Sequence, residues 1–130
     1  MREIPAELAG ERSFVTTPEM GTKHLGDISV YSSPAMVAQF EDLCTGMLAP
    51  YLDPGEGSVG YRLELRHLAP TLIGQRVTLR ARVREAEGRR FLFELEAYND
   101  SGTKIGEGLH ERRVVDLGRF ADRLARGEGG

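Results

Sequence analysis

SPAMVAQFEDLCTGML, residues 33–48, decides how the rest of the chain is arranged. At about 100° per residue, Met36, Val37, Phe40, Leu43, Cys44, Met47 and Leu48 gather into one broad apolar arc, with Ala35, Gln39, Asp42 and Thr45 opposite. The pattern predicts a core-facing helix. Ser33 reads as its N-cap, able to accept a backbone N–H bond, and Pro34 suits a first-turn position that has no helical N–H partner to lose. Glu41 falls at the margin of the arc, in register with Val37, Cys44 and Leu48. A carboxylate there is either a rim charge bending to solvent or a catalytic group.

Beyond the helix, Pro50 and LDPGEGS at 52–58 break the chain, and four strands follow. Val59, Tyr61, Leu63 and Leu65 alternate with Gly60, Arg62, Glu64 and Arg66, the period-two signature of a half-buried strand. Val77, Leu79, Ala81 and Val83 repeat it, as do Phe91, Phe93, Leu95 and Ala97. EAEGRR at 85–90 and NDSG at 99–102 are hairpin turns. Residues 103–115 form a last strand, weakened by Gly106 and Gly108, and 116–126 read as a short amphipathic helix. Ahead of the long helix, SFVTT at 13–17 is β-prone. The reading is one domain over residues 1–130, with 1–12 and 127–130 as flexible ends. Its class is α+β: one long helix on an antiparallel meander, apolar on one face and charged on the other, that curls around it.

Parity yields the sharpest inference about chemistry. One more alternation after Leu65 lands on His67, which therefore points to the apolar face, toward the helix that carries Glu41. Such a histidine is either a hydrogen-bonded core residue or a catalyst. A histidine and a carboxylate on facing apolar surfaces make each other's burial tolerable. On a regular helix, Ser33 and Glu41 are about 12 Å apart along the axis, so a substrate or water above the first two turns could contact both.

Bulk properties exclude several classes. A net charge of −3 argues against a nucleic-acid binder, and no apolar run is long enough for a membrane span or a signal peptide. The single cysteine, Cys44, rules out a disulfide framework and fits a reducing cytoplasm. His24, His67 and His110 have no metal-ligand spacing, so no metal is expected.

The succession Ser-Pro-Ala-Met-Val-(x3)-Glu, YLDPGEGSVG, RHLAPTLIGQRVTLRARV, EGRRFLFELEAYND and IGEGLHERRVV resembles the hotdog-fold thioesterases related to fluoroacetyl-CoA thioesterase, over residues 31–116. The resemblance implies a hotdog fold, a long central helix wrapped by a curved antiparallel sheet, and a homodimer, with a tetramer as an option. It implies that Glu41 and His67 are the catalytic acid and histidine positions, and that Ser33 stands where the fluoroacetyl-CoA enzyme has a catalytic threonine. Gly60 and Arg112 match positions associated with that active site. The segment 24–31 is shorter than its counterpart and lacks the lid phenylalanine, which argues against fluoroacetyl selectivity.

The function expected is hydrolysis of an acyl-CoA thioester to a carboxylate and free CoA, with no cofactor. His67 acts as general acid/base, Glu41 activates water or attacks the carbonyl, and Ser33 places the substrate. Arg89 and Arg90, at a hairpin, are candidates for the CoA phosphates. The rivals are a catalytically silent acyl-CoA-binding dimer and an acyl-CoA hydratase.

Overall fold

The computed structural model describes residues 1–127. Its central helix, α1, spans Ser33–Leu48 and runs on into a short 3-10 turn at Ala49–Tyr51. Met36, Phe40, Leu43, Cys44, Met47 and Leu48 are buried, as the apolar arc requires, while Val37 is only half-buried. Five strands surround the helix: β1 Ala9–Val15, β2 Glu56–His67, β3 Arg76–Glu87, β4 Arg90–Asn99 and β5 Lys104–Asp116. A second helix, α2, spans Leu117–Ala125. β1 begins at Ala9, ahead of the expected residue 13, and Ile4 is buried, so the lead-in contributes to sheet and core. Of the tail expected to be flexible, residues 128–130 lie outside the described residues.

The sheet is antiparallel throughout, in the order β1-β3-β4-β5-β2. Only β3, β4 and β5 form a plain meander; β2 does not pair with β3, as a meander of four would have required, but with β5 at the far edge. Residues 68–75 therefore cross the end of the sheet, about 14 Å over three strand spacings. That crossing is pinned to the chain just before α1: Tyr31 N–H donates to the Thr71 carbonyl at 2.8 Å, and Ile73 N–H to that of Ser29 at 3.2 Å. The start of the helix is thereby held beside the end of β2.

Inner-face residues Val77, Leu79, Ala81, Phe91, Phe93, Leu95 and Ala97 pack beneath the helix, each large side chain contributing about 1.5–3 kcal/mol of burial. The helix lies close enough that a Cβ at Gly106 would sit 2.6 Å from Met36 Sδ. The glycine that weakens β5 as a strand is what admits the helix. On the outer face, Arg80 pairs with Glu11 at 2.8 Å and Arg82 with Glu94 at 3.1 Å.

One parity assignment needs correction. The pairing of β2 with β5 slips between Gly60 and Arg62, a β-bulge at Tyr61. Leu63, Leu65 and His67 lie after the bulge and share the inner face, but before it the inward positions are Ser58 and Gly60. Tyr61 is outside, 60% exposed, with the Arg113 guanidinium 3.6 Å from its ring centre. One inserted residue reverses every side chain on one side of it.

Candidate active site

The two serines before Pro34 have different jobs. Ser32, not Ser33, is the N-cap, with extended backbone (φ −83°, ψ 154°) and a side chain that accepts from Ala35 N–H at 3.2 Å. Its own N–H donates to the Met20 carbonyl at 2.9 Å, which holds the chain extended up to that residue. Ser33 is the first helical residue, and its hydroxyl is free for a longer-range contact. Ser33 Oγ lies 2.7 Å from Nδ1 of His67. His67 reaches it because the last pair of the β2–β5 ladder, His67 with Gly106, turns the imidazole inward where the crossing begins. Its Nε2 is buried with no protein hydrogen-bond partner. An orphaned buried polar atom costs about 1–3 kcal/mol. Burial lowers the pKa of His67, opposed by a backbone carbonyl at Ala69, so the ring is driven toward its neutral form.

Two helical turns further on, Glu41 belongs to a second group. Arg112, only 5% exposed on the inner face of β5, donates through Nε to Ser58 Oγ at 3.0 Å and through Nη2 to the Ser58 carbonyl at 2.9 Å. Its Nη1 faces His110 Nε2 at 3.2 Å and Glu41 Oε2 at 3.9 Å. Arginine can only donate, so His110 Nε2 accepts, and Nδ1–H donates to the Arg62 carbonyl at 2.9 Å. These contacts fix a neutral tautomer, and burial first, then the charge of Arg112, lower the His110 pKa in the same sense. Gly60 stands opposite Arg112 in the ladder. A Cβ there would lie 3.1 Å from Glu41 Oε2, 3.4 Å from His110 Cε1 and 3.6 Å from Arg112 Nη1. Glu41 keeps 44% of its side chain exposed, leaving its carboxylate open to a water or substrate. Buried Cys44 completes the surroundings, its thiol pushed up to about 12 by burial.

Ser33 and His67 thus form one contact pair, and Glu41, Gly60 and Arg112 another group; no hydrogen bond or ion pair joins the two among the described residues. His110 escaped the sequence reading. Its signal was parity: Val114, Arg112 and His110 alternate along β5. Arg89 and Arg90 lie apart from both groups. Arg89 pairs with Glu56 at 2.8 Å, and Arg90 is held by Glu85, Glu87 and Glu111. His24 is exposed in the loop before α1.

A helix wrapped by an antiparallel sheet, with a histidine–serine pair at its start and a half-open carboxylate on its flank, defines a hotdog-fold protein of the thioesterase class. A family model described as fluoroacetyl-CoA-specific thioesterase matches residues 14–117. The fluoroacetyl-CoA thioesterase of Streptantibioticus cattleyicolor is 38% identical over 122 residues, covering 85% of this chain and 87% of that protein. A thioesterase superfamily member from Thermus thermophilus superposes with a TM-score of 0.88 at 35% identity, covering 97% of this chain and 94% of its own. A threonine-to-serine variant of the fluoroacetyl-CoA enzyme, crystallised with acetyl-CoA, superposes with a TM-score of 0.84 at 33% identity over 97% of this chain and all, 100%, of its own. The chain belongs to the fluoroacetyl-CoA-specific thioesterase family of hotdog proteins.

Proposed function

We propose that this chain hydrolyses acyl-CoA thioesters, with Glu41 as the base for water, His67 as the group facing the departing sulfur and Ser33 as its positioning partner. The observation that carries the reading is the 2.7 Å Ser33–His67 contact beside a buried, unpartnered Nε2. When the Ser33 hydroxyl donates to Nδ1, the neutral ring carries its proton on Nε2. That N–H is then presented to the thioester. Glu41 takes a proton from water as the oxygen adds to the carbonyl carbon. The C–S bond breaks with the developing thiolate held against Nε2–H of His67, and the proton on Glu41 passes to solvent. Arg112, locked by Ser58 and His110, lies 3.9 Å from Glu41 Oε2 and orients its carboxylate. Gly60 leaves the space in which that carboxylate meets the substrate.

Short acyl groups head the list of substrates to try, because the chain carries serine where the resemblance places the threonine, and the serine variant of the fluoroacetyl-CoA enzyme was crystallised with acetyl-CoA. We further propose a homodimer acting in the cytoplasm. The sheet has two open edges, β1 and β2, and the 12-residue β2 is the longer, a row of unpaired backbone groups that a second copy would cover. No helix among the described residues is long and apolar enough to cross a membrane.

The test is thiol release from acyl-CoAs running from acetyl to long-chain and aryl, with calorimetric titration of a non-hydrolysable CoA analogue alongside. Turnover of at least one member supports the assignment. Analogue binding without turnover of any member identifies a silent binding protein instead.

A further inference from the structure

His110 occupies a position where the neighbouring inner-face residues of the sheet are apolar. It lies opposite Leu63 of β2 and Phe93 of β4 and is 1% exposed. A ring with two nitrogens is costly there unless both find partners, and the partners lie on opposite sides of it. Nδ1 meets the Arg62 carbonyl at 2.9 Å, on the residue that re-enters the β2–β5 ladder after the bulge. Nε2 meets Arg112 Nη1 at 3.2 Å. Facing a carbonyl, Nδ1 carries the proton, and Nε2 keeps the lone pair of the neutral ring. A bulge disrupts the ladder around it, and here a carbonyl beside the bulge sets the tautomer of a histidine on the next strand.

That lone pair decides how the guanidinium of Arg112 is used. Ser58 takes one edge of it, with Nε donating to the Ser58 hydroxyl and Nη2 to the Ser58 carbonyl. Nη1, on the far side, has two hydrogens, with His110 Nε2 at 3.2 Å and Glu41 Oε2 at 3.9 Å before them. When His110 accepts one, the other is turned toward the carboxylate. With the opposite tautomer Nε2–H would confront Nη1–H, donor against donor. Among the described residues Nη1 has no other hydrogen-bond acceptor, so its direction depends on His110.

Resting on the hydrolytic reading above, we propose that His110 is a positioning residue of the reaction: fixed by the Arg62 carbonyl, its Nε2 lone pair aims Arg112 Nη1 at Glu41 and so holds the carboxylate where it meets water. His110 touches neither substrate nor reacting atoms and acts through Arg112. The bulge in β2 therefore serves the site twice, by bringing Gly60 inward beside Glu41 and by fixing the histidine that steers Arg112.

The test separates the two contacts of the ring. In His110→Gln the amide oxygen falls near the place of Nε2, so Arg112 keeps an acceptor while the bond to Arg62 is given up. In His110→Asn the amide falls near the place of Nδ1, so the Arg62 carbonyl keeps a donor while Arg112 loses its acceptor. Thermal melting follows folding, thiol release gives kcat and KM, and nitrogen-edited NMR of the Arg112 side chain reports whether its Nη1 group rotates. The expected result is that His110→Asn lowers kcat about tenfold or more with KM within about twofold, and that His110→Gln recovers kcat to within about threefold of wild type. The Nη1–H signals are expected to be resolved in wild type and His110→Gln and averaged in His110→Asn. Full kcat in His110→Asn, or a loss in His110→Gln as large as in His110→Asn, overturns the assignment, leaves hydrolysis intact and makes the histidine a support for the bulge alone. If His110→Asn does not fold, His110→Gln decides: retained kcat with resolved Nη1–H signals supports the assignment, and loss of either overturns it. A wild type that turns over no acyl-CoA overturns the hydrolytic reading, and the NMR comparison then judges the steering of Arg112 by itself: averaged Nη1–H signals in His110→Asn support it and resolved ones overturn it.

Discussion

Replacing each of the adjacent serines separates two roles that the sequence alone runs together. Ser32 donates nothing to the catalytic groups but caps α1, so Ser32→Ala costs about 1 kcal/mol of stability. For a domain of this size that is a fall in Tm of about 4 °C. Ser33 caps nothing; its hydroxyl meets His67 Nδ1 at 2.7 Å. Ser33→Ala loses the bond to His67 but gains helix propensity, so its Tm is expected to fall by no more than about 4 °C, without the loss of a cap. The lost hydrogen bond, worth about 0.5–1.5 kcal/mol, frees the imidazole to turn and lowers kcat by about two- to twelvefold. Paired thermal melts and steady-state thiol release decide it. A Ser33→Ala protein that melts early with full kcat would refute the assignment of roles. A kcat loss of about a thousandfold would show that the Ser33 hydroxyl takes part in the chemistry rather than orienting His67.

Gly60→Ala places a methyl 3.1 Å from Glu41 Oε2; the half-exposed carboxylate swings aside, so kcat falls about ten- to a hundredfold while chemical denaturation shows a change under about 1 kcal/mol. The pH dependence of stability follows from His67 and His110, whose folded-state pKa values both lie below the unfolded value of about 6.5. Below that pH the unfolded chain binds more protons than the folded one, so stability is full above the window and is lost as pH falls through it. Urea melts at pH 7.5 and about 5.5 check this, and His110→Gln should flatten the difference. A second loss sets in below about 4.5, where Glu56 protonates in the unfolded chain, and is complete only when pH falls through its folded value. It is held at about 2 by the Asp53 N–H, the terminal ammonium and Arg89.

Much of the fold was legible because it rests on period. The apolar arc of α1 and the alternations of β3 and β4 needed nothing beyond side-chain direction, and His67 was placed inward by parity counted from Leu63 and Leu65. The bulge at Tyr61 was not legible: GYR carries no local mark of an inserted residue, so Val59 and Tyr61 were assigned to the wrong face. The placement of β2 beside β5 depends on the crossing at 68–75, a long-range choice. The cap was ambiguous because Ser32 and Ser33 are equally good acceptors, and only tethers from Met20 and Thr71 select Ser32. Around Glu41, Gly60 and Arg112 were reached through resemblance, whereas His110 becomes significant only when Arg112 is seen to donate to it.

The most direct measurement is thiol release by wild type, Glu41→Gln and His67→Ala on the best acyl-CoA, with binding of a non-hydrolysable analogue measured on all three. The account predicts that both variants fold, bind the analogue and lose about a hundredfold or more in kcat. Undiminished turnover in either variant would contradict it.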